Sequence, residues 1–315
     1  MTESKPLILS FGSVNIDVTA RARRLPRPGE TVHAHGYTLG LGGKGSNQAA
    51  AAARLAASLG LHAALVGRVG RDAFGAQARA DLERFGVDLQ GLRDDAGNPT
   101  GLALIGIDDG GENSITVAGG ANMAIDESDI VASAGLFDAA RVLLLQLEIP
   151  QAAVLAAARH VRRRGAIVVM DPAPAPEEGL PEALWPLIDI ITPNESETAR
   201  LTDIEPQTAD EAAAAARQLV ARGAAGAVVK MGGRGVWWQH GDDGGFVPPF
   251  RVTPIDTVAA GDCFNAGLAV ALAQGRDLAG ATRVAAASGA LATTKHGAAD
   301  AAPTWPEVSA MLEGG

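Results

Sequence analysis

Apolar residues in this chain fall into runs of two kinds. Short unbroken runs bounded by Gly or Pro predict buried strands: PLILSFGS near the start, AALVGRVG from Ala63, VLLLQLE from Val142, AIVVMDP from Ala166, LIDIITPNE from Leu187 and AAGAVVKMG from Ala224. Between them lie Ala-rich stretches of helical period: SNQAAAAARLAASLG closed by Gly60, QAAVLAAARHVRRRG closed by Gly165, and TADEAAAAARQLVARG. Thr208 with Glu211 three residues on is a capping-box signature, so the last stretch reads as a helix and not as low-complexity filler. Strands and helices in alternation predict an α/β fold with a mainly parallel central sheet and helices on both faces.

Two segments depart from this pattern. Asp17 to Gly42 and roughly Asn98 to Gly119 alternate polar with apolar residues (TVHAHGYTLG, TGLALIGIDDGGENSITVAG), which predicts exposed antiparallel strands of a small second sheet. A ligand is then expected between this sheet and the carboxyl ends of the main strands. The open face and edges of such a sheet call for a partner, so a homodimer through it is expected. The stretch DPAPAPEEGLPEALWP, between two strands, reads as a surface loop with a short helix. The reading is one domain over 1–315, with a lid sheet from about 17–42 and 98–119 and no internal repeat.

Composition narrows the class. With 315 residues, 47% of them hydrophobic and 20% charged, the chain can bury a large core and is not a disordered one. The net charge of -10, with no basic run beyond Arg162-Arg163-Arg164, excludes nucleic acid as the natural partner. Those arginines suit the solvated end of a helix before Gly165. The single cysteine, Cys263, allows no internal disulfide and no zinc site of paired cysteines. With no basic leader and no apolar window near the ~18 residues of a membrane span, a cytoplasmic protein is expected.

Two loops carry candidate chemistry. In LGGKGSNQAA, residues 41–50, the phosphate-loop pattern fails, because Thr38 stands at its first Gly and Gly45 follows Lys44 where Ser or Thr belongs. Gly40, Gly42 and Gly45 satisfy G-x-G-x-x-G, but no buried strand precedes them and LHAALVGRVG supplies no ribose-binding acid. A plain glycine turn with a solvated lysine is a further reading. The remaining one is a sugar clamp: Gly42 and Gly43 let the backbone approach hydroxyls, Lys44 and Asn47 add donors at a helix start, and GSVNID supplies Asn15 and Asp17 nearby. In DTVAAGDCFNAGLAVALAQG, the small residues Ala259, Ala260 and Gly261 leave backbone N–H groups open to an anion at a helix start. Asp262 is then either a carboxylate satisfying the helix dipole or a base beside an anion hole, as phosphoryl transfer to an alcohol requires.

Together, GGKGSNQAA and DTVAAGDCFNAG resemble the two signature motifs of the ribokinase-like (PfkB) carbohydrate kinases. The similarity runs over about residues 7–305 and includes GSVNID, PGETV, GRVGRDAFG, LLQLEIP, DPAPA, DIITPNESE and GGRGVW. The resemblance implies an ATP-dependent kinase of Rossmann-like architecture, with Asn15, Asp17, Gly43, Lys44, Asn47 and Glu148 on the sugar and Asp262 as base, beside the amides of Ala259, Ala260 and Gly261. It implies that Asn194 and Glu197 organise magnesium and phosphate through water. Lys230, Gly232, Gly233 and Gly235 would form the nucleotide loop. Asp256 and Val258, with backbone of Ala292, Lys295 and Gly297, would hold a monovalent cation such as potassium. The implied reaction is phosphorylation of D-ribose at O5 by MgATP. A kinase of another sugar or of a nucleoside is an alternative, which 4% aromatic residues disfavour for a nucleoside; a non-catalytic sugar-binding regulator is the alternative of another class.

The chain departs from the family pattern at Cys263 and Lys230, each where Thr is usual, at Ala301 where a Ser often serves the cation, and in the order Ala266-Gly267. His33 and His35 read as solvated strand residues, Trp237 and Trp238 as opposite faces of a hairpin, and Cys263 as a buried inert thiol.

Overall fold

The structure, a computed structural model, describes residues 5–314. The first four residues and the last of the expected 1–315 domain lie outside the described residues. The first half runs β1 (Leu7–Phe11), β2 (Asn15–Ala22), β3 (Ala34–Gly42), α1 (Lys44–Ala56), β4 (His62–Gly70), α2 (Ala73–Arg84), β5 (Asp88–Asp95), β6 (Gly101–Asp108) and β7 (Asn113–Ala118). After α3 (Glu127–Ala132) and α4 (Ala134–Ala139) come β8 (Ala140–Leu145), α5 (Gln151–Arg162), β9 (Ile167–Met170), β10 (Ile190–Ile191), α6 (Glu195–Thr202) and α7 (Ala209–Ala221). The chain ends with β11 (Gly226–Lys230), β12 (Val236–His240), β13 (Asp243–Val247), α8 (Ala260–Ala273), α9 (Leu278–Ala292) and α10 (Trp305–Gly314).

All six apolar runs supply strands of one nine-stranded sheet, ordered β13-β12-β11-β10-β9-β8-β1-β4-β5, in which only β12 and β13 run antiparallel to their neighbours. Successive strand residues feed opposite faces. Val142 and Leu144 of β8 join the core under α1, α8 and α9, whereas Leu143 and Leu145 join the core under α5 and α7. This two-sided burial is why the strands read as unbroken apolar runs. Trp237 and Trp238 obey the same alternation, one packed against each core. The expected capping box of α7 is present, with Thr208 and Glu211 bonding each other's backbone N–H.

Two expectations need correction. The small sheet, β3-β2-β6-β7, is mixed: β2 pairs antiparallel with β3, but parallel with β6. The chain between β2 and β6 passes through β3, α1, β4, α2 and β5, a crossover long enough for β6 to return in the same direction as β2. DPAPAPEEGLPEALWP is not simply a surface loop. Leu180, Leu184 and Trp185 are buried in the α5/α7 core, and the Arg222 guanidinium lies 4.3 Å over the Trp185 ring. Its glutamates, Pro174 and Pro186 are exposed, whereas Pro172, Ala173 and Ala175 are buried along with Leu180, Leu184 and Trp185.

His35 is exposed and pairs with Asp109 at 3.3 Å, and no cluster of three metal-ligating side chains occurs among the described residues. Among them, no helix is long and apolar enough to cross a membrane.

Candidate active site

The candidate residues gather at the carboxyl ends of β1, β8, β9, β10 and β11, where open α/β sheets place their ligands. Helix α1 begins there, at Lys44, because Gly43 turns the chain at φ +90° and its missing Cβ lets the backbone pass Asn15 N. Gly43 has no side chain to cap the helix. Glu148, on the loop after β8, does so from across the sheet: its Oε2 accepts the Lys44 N–H at 3.0 Å and the Ser13 hydroxyl. Asn15 Oδ1 accepts from Asn122 Nδ2 at 2.7 Å. Asp17 lies against Gly42, where any Cβ would stand 1.9 Å from its Oδ1. Burial pushes the Asp17 pKa up to about 6, and the carboxylates of Glu148 and Asp262 push the same way.

Helix α8 faces α1. Ala259 adopts the left-handed conformation at φ 56°, so the chain turns sharply into α8; the Ala260 N–H, expected to be open, is taken by the Thr257 carbonyl at 3.3 Å, while those of Gly261 and Asp262 have no intrahelical acceptor. Asp262 sits in that first turn, buried, and each of its oxygens accepts an amide: Oδ2 from Asn47 at 3.1 Å, Oδ1 from Gln48 at 3.1 Å. Burial pushes its pKa up to about 6; the Lys44 ammonium opposes this and Asp171 adds to it. Burial works against the Lys44 charge, but Asp262, Asp171, Glu148 and Glu197 outweigh it and hold the ammonium above its usual range. The Cys263 thiol is buried and pushed well up, first by burial and then by Asp262, which disfavours its thiolate.

On the far side, Asn194 and Glu197 form a capping box at the start of α6: Asn194 Oδ1 accepts the Glu197 N–H and Glu197 Oε2 accepts the Asn194 N–H, both at 2.9 Å. Burial raises the Glu197 pKa, against the pull of Lys230 and with the help of Asp171. Lys230 closes β11 with its Nζ 3.5 Å from Asp171 Oδ1 and near Gly261. Gly232 and Gly233 are exposed in the turn that follows, whereas the Gly235 N–H is bonded to the Gly232 carbonyl at 3.3 Å. Asp256 accepts the N–H of Val258 at 3.0 Å and of Gly297 at 3.2 Å, which joins the loop before α8 to the loop after α9. Ala292 ends α9, and the Lys295 ammonium points away to Glu307 of α10 at 2.7 Å.

A model described as pfkB family carbohydrate kinase matches residues 5–305. The chain is 35% identical to a ribokinase of Haemophilus influenzae over 96% of its own length and 97% of that protein's. It is 32% identical to a deoxyribokinase of Salmonella typhimurium, over 97% and 98% of the two chains. The solved structure of Arabidopsis thaliana ribokinase complexed with ribose and ATP superposes with a TM-score of 0.89 at 32% identity, covering 98% of this chain and 99% of that one. The chain belongs to the pfkB family of carbohydrate kinases.

As a pfkB-family kinase, the chain has an α1/α8 junction richer than the sequence reading provided. Gln48, Gln146, Asp171 and Asn122 all stand among the candidate residues, and none had been assigned a role. Gln48 donates to Asp171 as well as to Asp262, at 3.2 Å and 3.1 Å, and accepts from Gln146 at 2.6 Å. The first three lie inside stretches already singled out, GGKGSNQAA, LLQLEIP and DPAPA, which was the available signal. Asn122 lies outside any of them.

Proposed function

We propose that this kinase phosphorylates D-ribose at O5 with MgATP, releasing D-ribose 5-phosphate and ADP. The observation that carries the reading is the Asp262 carboxylate, buried in the first turn of α8 and hydrogen-bonded to Asn47 of the glycine loop. In this reading the small sheet covers a sugar whose hydroxyls are held by Asn15, Asp17, Gly43, Lys44, Asn47 and Glu148. Asp262 takes the proton of the O5 hydroxyl as O5 attacks the γ-phosphorus. The bond from that phosphorus to the β-phosphate oxygen breaks and ADP leaves. The N–H groups of Ala259 to Asp262 receive the charge of the transferring group, and Lys230 to Gly235 line the donor phosphates.

The residues suit the cations that such chemistry uses. Asp171 and Glu197 repel one another across the donor side, a setting favourable to magnesium held through water with Asn194 nearby. Magnesium, when bound, neutralises the charge of the donor phosphates. Asp256, the Val258 carbonyl and backbone of Ala292, Lys295 and Gly297 would hold potassium, stiffening the anion loop without touching substrate. Ala301 offers that cation no hydroxyl.

A homodimer through the small sheet is part of the reading, supported by Tyr37, Leu39 and Leu104, large apolar side chains left exposed on one of its faces. A monomer mass in light scattering at micromolar concentration would remove it. A cytoplasmic location is part of the same reading, and a single free, buried thiol suits a reducing compartment.

The deciding experiment is ADP release from MgATP with D-ribose, 2-deoxy-D-ribose, other sugars and nucleosides, in potassium and in a large organic cation. Ribose turnover raised by potassium is expected. Preference for 2-deoxyribose, as the name of the Salmonella relative suggests for that protein, keeps the mechanism and moves the substrate. Silence with every acceptor favours a sugar-binding regulator.

A further inference from the structure

Gln48 lies in the second turn of α1, fully buried. Its amide nitrogen carries two hydrogens, and each has a carboxylate acceptor: Asp262 Oδ1 at 3.1 Å and Asp171 Oδ2 at 3.2 Å. Its amide oxygen accepts from Gln146 Nε2 at 2.6 Å. The amide cannot be turned over, because its oxygen would then face two carboxylates and the Gln146 N–H2 would meet a donor. Gly12, lacking a Cβ, leaves room for Gln146 Oε1, which a Cβ there would approach to 1.9 Å. Asn47, the other donor to Asp262, belongs to the proposed sugar clamp, whereas Gln48 is not part of it.

We propose that Gln48 is the positioning residue of the base: by tying Asp262 to Asp171 through one amide nitrogen, with Gln146 setting the amide's direction, it holds the Asp262 carboxylate aimed at the acceptor hydroxyl throughout turnover. The inference rests on reading Asp262 as the base. The charged groups around that carboxylate are Lys44 of α1, Asp17 of β2 and Asp171 after β9, with Lys230 of β11 on the far side of Asp171. Among them Gln48 is the neutral spacer that lets two acids stand on either side of one amide. A donor to the ionised carboxylate also keeps its proton affinity down, so its loss moves the acid limb of activity to higher pH.

The test compares Gln48→Leu, Gln48→Glu and Gln146→Leu with the parent kinase, using the best acceptor from the sugar panel. Loss of a buried hydrogen bond to a charged group predicts that Q48L lowers kcat roughly tenfold to a hundredfold, with the sugar KM changed less than about threefold. The acid limb of kcat/KM moves up in pH in Q48L and further in Q48E, which adds a third carboxylate. Q146L, which touches neither acid, shows a smaller change of the same sign and keeps the test open if Q48L does not fold. A variant set that lowers the melting temperature but keeps the parental pH limb and kcat would reduce Gln48 to packing and overturn the proposal. D262N separates the two readings: full turnover in D262N sinks the base itself, whereas a dead D262N beside unchanged Gln48 and Gln146 variants sinks only this inference.

Discussion

Asn47 and Asp262, 215 residues apart in sequence, share a hydrogen bond of 3.1 Å between the first turns of α1 and α8. The proposed sugar clamp and the proposed base are therefore one polar unit, and removing the charge should leave the clamp standing. Asp262→Asn keeps the size and an acceptor oxygen but takes no proton. Turnover should fall by roughly 10²–10⁴-fold, the range of a lost general base. Calorimetric sugar binding should stay within a few-fold, and near-normal ADP release would sink the assignment.

The pH profile follows from burial. Asp262 and Asp17 both have pKa values pushed up to about 6, so the ionised base and the ionised sugar acceptor are lost as pH falls through that value. In the free enzyme kcat/KM should drop below about pH 6 with a slope approaching two, and Asp17→Asn should reduce the slope to one. Stability moves the other way. A carboxylate whose folded pKa is raised contributes stability that is fully present below the unfolded value of 3.8 and is lost as pH rises through about 6. Between those values the kinase should become more active, while the stability that these two carboxylates contribute, read as the difference in urea unfolding between the parent and the Asp17→Asn/Asp262→Asn double variant, should fall.

Gly42 and Gly43 are adjacent and should fail differently. An alanine Cβ at 42 would stand 1.9 Å from Asp17 Oδ1, so the carboxylate must move. Gly42→Ala should raise the sugar KM roughly tenfold to a hundredfold, the worth of a charged hydrogen bond, with a small change in melting temperature. Gly43 holds φ +90° with Asn15 N 2.8 Å from its Cβ position. Gly43→Ala should cost about 1–2 kcal/mol or more in urea unfolding.

These glycines and the two motif acids were legible because a missing side chain or a carboxylate at a helix start is a local signal. The strands were legible because burial on both faces leaves unbroken apolar runs. Strand direction in the small sheet was not: alternation reports which face a residue occupies, whereas the parallel pairing of β2 with β6 is set by the long connection between them. Trp185 was hidden by the prolines and glutamates around it. Gln48, Gln146 and Asp171 were hidden for a deeper reason. A glutamine reads as a surface residue until its partners are known, and those partners lie 98 to 214 residues away. Asn194 and Glu197 show the converse, for the spacing taken as a magnesium element is also an ordinary capping box, and the structure uses it as one.

The loop after α9 is tied to α10 by an ion pair. Lys295 was expected to serve a cation through its backbone, and its side chain anchors that loop to α10 through Glu307 at 2.7 Å. Burial alone would raise the Glu307 pKa, but hydrogen bonds from Lys295 and Thr304 outweigh it and bring it down to about 2. The stability this gives is present above the unfolded value of 4.5 and lost as pH falls through about 2. With 39% of the Glu307 side chain exposed, solvent screening reduces the pair to ~1 kcal/mol. Glu307→Gln should therefore lower the stability measured by urea unfolding at pH 7 by about that amount, and the difference from the parent should vanish at the acid end of the range. If Asp256 and Gly297 hold potassium, the same substitution should also raise the potassium concentration for half-activation while leaving the potassium-saturated rate unchanged, because Glu307 touches the cation loop and none of the proposed reacting groups. Unaltered potassium response with lowered stability would confine the pair to tethering α10.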